Sequence, residues 1–144
     1  MTKKYIGTKI ITAFPETKPA NEDHGDIEGY AVVYEDGYRS WSPKATFEAA
    51  YRATEGDGQA LTFGDAIHLL KQGKKLVRAG WNGKGMYLFL IGVPGSGARL
   101  VDLYQRNDNL PLLPFIAMKT AGDEVVPWLA SQTDMLADDW TVIE

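Results

Sequence analysis

The chain has 144 residues, 44% of them hydrophobic, which suits one ordinary domain or two very small ones. The absence of cysteine excludes disulfides, thiolate metal sites and a cysteine nucleophile. A net charge of −4 argues against general binding to polymeric nucleic acid, which needs a basic face. No apolar run approaches the roughly 20 residues of a membrane span, and MTKKYIGTK lacks the apolar region of a signal peptide, so we expect no membrane partner.

The first block, residues 1–52, is predicted to be a β-β-β-α module. YIGTKIITAF, at residues 5–14, has the β-branched and aromatic content of a strand, and FPETKPANEDHGD is predicted to be a polar loop. Residues 29–41 are predicted to form a hairpin around their DG pair, which is typical of a type I′ turn. Ser42 as N-cap and Pro43 at the first helical position predict a helix through KATFEAAYR.

The second block, residues 61–144, follows a predicted linker at residues 53–60, where ATEGDGQA is acidic, rich in glycine and without apolar periodicity. The block opens with a predicted helix, because Thr62 and Asp65 have the spacing of a capping box. The predicted buried stripe and the C-terminal stop of this helix are Phe63, Ala66, Ile67 and Leu70, and Gly73.

The rest of the second block is predicted to be mainly strands. KLVRAGW and MYLFLIGV are predicted strands joined by the turn NGKG, whose Asn-Gly pair accounts for the turn and leaves Trp81 without a folding role. PGSGARLVDLYQRNDNLPLLP is predicted to be an excursion, FIAMKTAGDEVVPW a hairpin, LASQTDMLADD a short helical or turn segment, and WTVIE a closing strand. The sequence therefore predicts an α+β fold, with a small antiparallel sheet and a short helix in each of the two blocks.

Several polar motifs are more simply structural than chemical. His24 and His68 lack the spacing of paired metal ligands, so we expect structural roles and no metal site. GVPGSG, at residues 92–97, lacks the GKS or GKT ending of a phosphate-binding loop and is predicted to be a plain turn. Asp134 and Asp138 would share a face if their segment is helical, which leaves acid–base work, cation binding and helix capping as interpretations, with capping favoured.

Three tryptophans lie at the edges of predicted strands, beside polar residues. Exposed aromatic rings next to amide and hydroxyl groups are what a nucleobase needs, because a base can stack and also hydrogen-bond at its edge. Packing and ligand stacking both remain open for Trp81 and Trp128, whereas Trp140 is predicted to be core. Arg78 and Lys84 flank the same turn as Trp81, where they would meet phosphates.

RAGWNGKG and PWLASQTDMLADDW are the most specific strings of residues 61–144, a region that resembles the phage Thoeris anti-defence family of the second type. The resemblance implies a cofactor-free sponge in the cytoplasm of the infected bacterial host, and no enzyme. Such a protein holds the cyclic ADP-ribose isomers made by TIR-domain proteins without cleaving them. The resemblance further implies a homo-oligomer, a tetramer or dimer, with the ligand between protomers. For some members it implies a separate site for cyclic di- and trinucleotides of the CBASS defence.

The resemblance also assigns ligand-binding residues. The family's pocket tryptophans correspond to Trp81, in the WNG turn, and to Trp128, in the PWLAS string. Asn82, Ser131 and Asp134 lie in the same motifs and are the implied contacts to ribose and to base edges. No residue is implied to be catalytic.

Two hypotheses from other classes compete with a sponge. A phosphodiesterase or glycohydrolase acting on the same signals would need Asp134 or Asp138 to be catalytic. A structural or adaptor module would bind no nucleotide and would dock a host or virion protein through residues 1–52. Those residues resemble a separate small module of phage proteins.

Overall fold

The computed structural model describes residues 1–92 and 113–143. The chain divides into two compact units, Met1–Tyr51 and Arg52–Glu144, and each contains one antiparallel sheet. The predicted α+β class is therefore confirmed, with few and short helices. Within the described ranges, no helix is long and apolar enough to span a membrane.

Two sequence predictions fall on the residues between these ranges. The predicted plain turn at residues 92–97 lies outside the described residues, apart from Gly92. The predicted excursion at residues 94–114 also lies outside them, apart from its last two residues.

The first unit is a three-stranded sheet followed by one helix. The strands lie in the order β1-β2-β3, and neighbours are antiparallel. The helix packs on the sheet through Phe47, whose ring stacks on that of Tyr30 with centroids 4.2 Å apart. The elements of this unit are β1 (Thr12–Lys18), β2 (Ile27–Val33), β3 (Arg39–Pro43) and α1 (Lys44–Ala50).

The first strand begins later than the prediction of residues 5–14, and it includes PETK, which was predicted to be loop. The reason is pairing: β1 lies along the whole of β2, starting with Thr12 opposite Val33. Pro15 lies within β1, which is an edge strand of the sheet, the usual place for a proline in a strand. The partner strand, and not local composition, sets the limits of β1.

Two local predictions in this unit are wrong. The DG pair does lie in the turn between β2 and β3, but only its Gly37 has a positive φ (85°), whereas type I′ needs two such residues. Ser42 does not cap α1, because Pro43 is the N-cap and no side chain makes a capping hydrogen bond. Ser42 and Pro43 instead belong to β3, opposite Tyr30 and Gly29, and this pairing delays the start of the helix.

The second unit is a five-stranded sheet with the order β7-β6-β5-β4-β8. The last strand of the chain pairs with the first strand of this unit, so that Trp140 lies opposite Arg78. This pairing brings residues from both ends of the unit together. Its elements are α2 (Phe63–Lys71), β4 (Lys75–Arg78), β5 (Tyr87–Ile91), β6 (Phe115–Lys119), β7 (Val125–Pro127), α3 (Gln132–Met135) and β8 (Trp140–Ile143).

Helix α2 begins and ends as predicted. Thr62 Oγ1 accepts a hydrogen bond from the Asp65 backbone N–H, and the Asp65 carboxylate accepts one from the Thr62 N–H in return. Arg52 hydrogen-bonds the same carboxylate and, with Thr62, lowers the pKa of Asp65 to about 2 against the effect of burial. Gly73 follows the helix with a φ of 83°, a conformation that suits glycine.

The core of the second unit lies between α2 and the sheet. Ala66 and Leu70 of the predicted stripe are buried, whereas Phe63 and Ile67 are only partly buried at its border. Leu69 is buried as well, although the stripe as predicted omits it. The other buried members of this core are Leu61, Leu76, Leu88 and Trp140.

Candidate functional site

Four aromatic rings cluster where β4 ends and β8 begins. Trp140 is the most buried of them, with none of its surface exposed. The ring centroids of Trp81, Trp128 and Phe63 lie 5.5, 6.1 and 5.7 Å from that of Trp140. Tilted and edge-to-face rings at such distances attract each other through their quadrupoles, in addition to the effect of burial. The prediction that Trp140 belongs to the core is confirmed.

Trp81 and Trp128 form the partly exposed side of this cluster. Their ring centroids are 6.3 Å apart, with an angle of 60° between the ring planes. Both side chains pack against the core of the second unit, and both retain exposed surface. Packing, one of the two interpretations open for Trp81 in the sequence, is confirmed, because its indole packs on both Trp140 and Trp128.

The chain leaves β4 at Arg78, before the predicted end of the strand at Trp81. The backbone N–H of Trp81 donates to the Arg78 carbonyl at 3.2 Å and closes a turn over Ala79 and Gly80. Asp139 holds this turn, because its carboxylate accepts from the Gly80 N–H at 2.9 Å and its carbonyl from the Ala79 N–H at 3.0 Å. The predicted extension of the strand is wrong because the next two backbone donors leave the ladder: the Gly80 N–H bonds to the Asp139 carboxylate and the backbone N–H of Trp81 turns back to the Arg78 carbonyl.

Arg78 joins two carboxylates beside this turn. Its Nε donates to Asp139 Oδ1 at 2.8 Å, and its Nη1 donates to Asp134 Oδ1 at 2.9 Å. The side chains of Arg78 and Asp134 are only 17% and 13% exposed, so solvent screens this ion pair weakly. Hydrogen bonds to Asp139, and to a smaller extent to Asp134, raise the pKa of the Arg78 guanidinium. The hydrogen bonds from Arg78 in turn lower the pKa of Asp139.

Asp134 also completes the cap of α3. Ser131 Oγ donates to Asp134 Oδ2 at 2.7 Å and accepts from the Asp134 N–H at 3.1 Å, which is a capping box. Partial burial raises the pKa of Asp134, but hydrogen bonds from Ser131, Arg78 and Trp81 outweigh it and lower the pKa to about 2. Asp134 is therefore ionised at neutral pH.

Acid is expected to destabilise the second unit through Asp134. Because the folded-state pKa lies below the ordinary 3.8, the stabilisation is complete above that value and is lost as the pH falls through about 2. The shift corresponds to about 2 kcal/mol of unfolding free energy. Urea unfolding of Asp134→Asn should therefore depend less on pH in this range than unfolding of the wild type.

The exposed Asp138 provides the matched control for this measurement. Asp138→Asn should leave the contribution of Asp134 in place, because no hydrogen bond joins Asp138 to Asp134 or Arg78, and its charge acts on Arg52 instead. The pH dependence left in Asp134→Asn should come from other carboxylates whose pKa is lowered, among them Asp65 and Asp139. Equal pH dependence in Asp134→Asn and the wild type would contradict the prediction.

The predicted site residues fall into two groups. Arg78, Ser131 and Asp134 belong to one hydrogen-bonded network, and Trp81 joins it through its Nε1, which donates to Asp134 Oδ1 at 3.3 Å. Asn82 and Lys84 are exposed on the connection to β5, and their side chains hydrogen-bond to nothing in residues 1–92 or 113–143. Trp128 reaches the first group through ring packing on Trp81. Binding roles for all these residues stay predictions.

The predicted face shared by Asp134 and Asp138 does not form, because α3 ends at Met135.

The two histidines contact neighbouring groups of their own segments. His24 Nδ1 lies 2.7 Å from a neighbouring backbone carbonyl, and His68 Nε2 lies 3.1 Å from a glutamine amide one helical turn further on. Within the described residues, no three His, Cys, Asp or Glu side chains are grouped so as to hold a metal ion.

Sequence reasoning missed two members of this site. Asp139 holds both Arg78 and the turn before Trp81, and Phe63 supplies a ring to the cluster. The one available signal for Asp139 is its position directly before Trp140, in a polar–aromatic pair like Trp81-Asn82. Its partners are far away in the sequence, so only the pairing of β8 with β4 identifies them.

A cavity of about 610 Å³ lies elsewhere in the second unit. Its walls come from the predicted linker, the turn after α2 and the end of β8, and they include Gln59, Lys74 and Val142. Gln59 Oε1 accepts from the Val142 N–H at 2.8 Å and so covers part of the free edge of β8. None of the predicted site residues lines this cavity.

Comparison with known proteins identifies the family. Residues 61–143 match the model of the Thoeris anti-defense 2-like domain. The chain belongs to the Thoeris anti-defense 2-like family. Thoeris anti-defense 2 of Bacillus phage SP01 is 38% identical to this chain over 84 residues. The aligned residues cover 58% of this chain and 94% of the phage SP01 protein. The family resemblance expected from the sequence is confirmed, and membership implies a phage anti-Thoeris function.

The match covers the part of the Thoeris anti-defense 2-like chain that contains the aromatic cluster. Trp81, Trp128 and Trp140, together with Arg78 and Asp134, all lie within residues 61–143. The first unit, Met1–Tyr51, lies outside the matched residues.

Proposed function

We propose that this Thoeris anti-defense 2-like protein acts in the cytoplasm of the infected host by binding a cyclic nucleotide immune signal and holding it uncleaved. The proposed ligands are the cyclic ADP-ribose isomers of Thoeris. The observation that carries this proposal is the pair of partly exposed indoles, Trp81 and Trp128, 6.3 Å apart and beside an exposed polar turn. Each base stacked on an aromatic ring contributes roughly 1–3 kcal/mol to binding.

The turn next to Trp81 supplies the polar groups that such a ligand needs. The exposed Asn82 amide can donate to and accept from a base edge or a ribose hydroxyl. The exposed Lys84 ammonium can pair with a phosphate. A sponge must succeed by affinity alone, and indoles already fixed by packing lose little entropy when a ligand binds.

The state of Asp134 favours capture over cleavage. A general acid must hold a proton at the working pH, whereas the pKa of Asp134 is about 2. Its carboxylate oxygens also accept hydrogen bonds from Arg78, Trp81 and Ser131. The low pKa argues against a general acid, and the occupied oxygens argue against a general base or nucleophile, so both support a binding protein over a hydrolase that depends on Asp134.

We propose in addition that the protein is a homo-oligomer, a dimer or tetramer, with the ligand between protomers. Leu129 and Leu136 are 91% and 78% exposed, and both lie close in sequence to Trp128 or Asp134. Val125 and Val126 of the edge strand β7 are exposed too. Exposed apolar groups and an unpaired strand edge are features of association surfaces, and a pocket between protomers buries more of a small ligand.

A charge within this surface is expected to dissociate the oligomer. Leu136→Asp would bury a carboxylate in the contact, which is unfavourable without a partner, so the mass measured by light scattering should fall to that of a monomer. The matched control is Tyr38→Asp, an exposed aromatic of the first unit, which should leave the mass unchanged. A monomeric wild type, or an unchanged mass for Leu136→Asp, would argue against this surface.

Native mass spectrometry is the experiment that tests the proposed function. The wild-type protein is mixed with a panel of cyclic ADP-ribose isomers and with cyclic di- and trinucleotides of the CBASS type. We expect complexes with at least one cyclic ADP-ribose isomer at a fixed stoichiometry per oligomer. Heat denaturation of the complex should then release the ligand with its mass unchanged.

The other outcomes identify the competing functions. A released product of altered mass would show that the protein is a hydrolase, and Asp134→Asn and Asp138→Asn would then locate the catalytic group. Failure of the wild type to bind any member of the panel would contradict the sponge and favour an adaptor role. Binding of the cyclic oligonucleotides alone would move the proposal from Thoeris signals to those of CBASS.

A further inference from the structure

We infer that Asp134 is a positioning residue that holds the Trp81 indole in place and does not itself contact the ligand. This inference rests on the proposed function for its consequence in binding, but its structural part can be tested without any ligand. It assigns Asp134 a role different from the ribose or base-edge contact that the family motifs suggest.

The Asp134 carboxylate already accepts four hydrogen bonds from within the protein. Oδ1 accepts from Arg78 Nη1 at 2.9 Å and from Trp81 Nε1 at 3.3 Å. Oδ2 accepts from the Ser131 N–H at 3.1 Å and from Ser131 Oγ at 2.7 Å. A carboxylate offers about four acceptor positions, so a ligand hydroxyl would have to displace a bond already made within the protein.

Asp134 also holds two of the tryptophans in the aromatic cluster, Trp81 and Trp140. Its carboxylate holds the indole of Trp81, and its backbone carbonyl accepts from Trp140 Nε1 at 3.1 Å. Arg78 extends the same network to Asp139, which in turn holds the backbone N–H of Gly80, directly before Trp81. The indole of Trp81 is therefore constrained through its ring N–H and through its own backbone turn.

A consequence for recognition follows from these bonds. Because the indole N–H of Trp81 donates to Asp134, the Trp81 side chain can offer a ligand its ring surface but no hydrogen-bond donor. Arg78 is likewise neutralised by two carboxylates, so within the described connection from β4 to β5 the positive charge available to a phosphate is that of the exposed Lys84. The contact residues on this view are Trp81, Trp128, Asn82 and Lys84.

A double-mutant cycle between Asp134 and Trp81 tests the positioning role, because phenylalanine at position 81 keeps a ring but lacks the N–H. With a cyclic ADP-ribose isomer as probe in calorimetry, Asp134→Ala should weaken binding about tenfold when residue 81 is Trp, which is the effect of one charge-assisted hydrogen bond. In the Trp81→Phe background the same change should have little further effect. An equal loss in both backgrounds would show that the effect of Asp134 on binding does not pass through the ring N–H of Trp81 and would overturn the inference.

A ligand-free readout separates this inference from the proposed function. In the ¹H–¹⁵N spectrum, the indole resonance of Trp81 is assigned from its loss in Trp81→Phe. It should shift in Asp134→Asn, an isosteric variant chosen to preserve the fold, and it should stay in place in Asp138→Asn. An unmoved resonance in folded Asp134→Asn would overturn the positioning role. A shifted resonance in a protein that binds no cyclic nucleotide would uphold the positioning role while the sponge function fails.

Discussion

Replacing Trp140 with alanine is expected to lower the unfolding free energy of the second unit by about 3–5 kcal/mol, the range for a fully buried tryptophan. The side chain has no exposed surface, and three other aromatic rings pack around it. Its removal would leave a cavity and would deprive the Asp134 carbonyl of the Trp140 Nε1 donor. Urea unfolding followed by circular dichroism measures the loss.

Two further variants separate the contributions to this effect. Trp140→Phe keeps a ring but leaves the Asp134 carbonyl without its donor, so we expect a smaller loss of about 1–3 kcal/mol. Trp128→Ala removes the same atoms from a partly exposed position and should also be less harmful than Trp140→Ala. If Trp140→Ala were no worse than Trp128→Ala, Trp140 would not be the centre of the cluster.

Replacing either Trp81 or Trp128 with alanine is expected to weaken binding of a cyclic ADP-ribose isomer by about 10–100-fold, the equivalent of one lost stacking contact. Both rings combine exposed surface with packing on Trp140, which fixes their positions before the ligand arrives. Calorimetric titration of the protein measures the dissociation constants. Circular dichroism at the same temperature verifies that each variant remains folded.

The first unit provides the matched control for these binding measurements. Trp41 is another partly buried tryptophan, which lies over Gly29 and donates its N–H to the Glu16 carbonyl at 3.0 Å. Trp41→Ala should leave the dissociation constant unchanged. If folded Trp81→Ala and Trp128→Ala bound as tightly as the wild type, the site would lie elsewhere, and the cavity lined by Gln59 and Lys74 would be the next to test.

In the second unit, the helix signals that depend on neighbouring residues agree with the structure, whereas the local turn and cap predictions of the first unit do not. The capping box of Thr62 and Asp65 starts α2, and Gly73 follows its end, as the sequence predicts. The partners in each of these interactions lie within one or two helical turns, so sequence spacing fixes their geometry. The burial of Trp140 also agrees with its prediction as core.

Predictions that depend on distant residues are less accurate. Strand β4 ends before Trp81 because the Asp139 carboxylate takes the backbone N–H of Gly80 and the backbone N–H of Trp81 turns back to the Arg78 carbonyl. Strand β1 begins at Thr12 because β2 lies beside it from that point. In both cases the residues of the segment itself also suit the longer or earlier strand, and a hydrogen-bonding partner from elsewhere in the chain decides the outcome.

The sequence by itself determined the α+β class, the capped helix α2 and the family, together with the two tryptophans proposed to bind the ligand. Only the tertiary structure decided that Asp134 and Arg78 are linked to Trp81. Hydrogen bonds act over about 3 Å, so residues far apart in sequence meet only after β8 has paired with β4. That pairing places Arg78 opposite Trp140 and converts two separate motifs into one network.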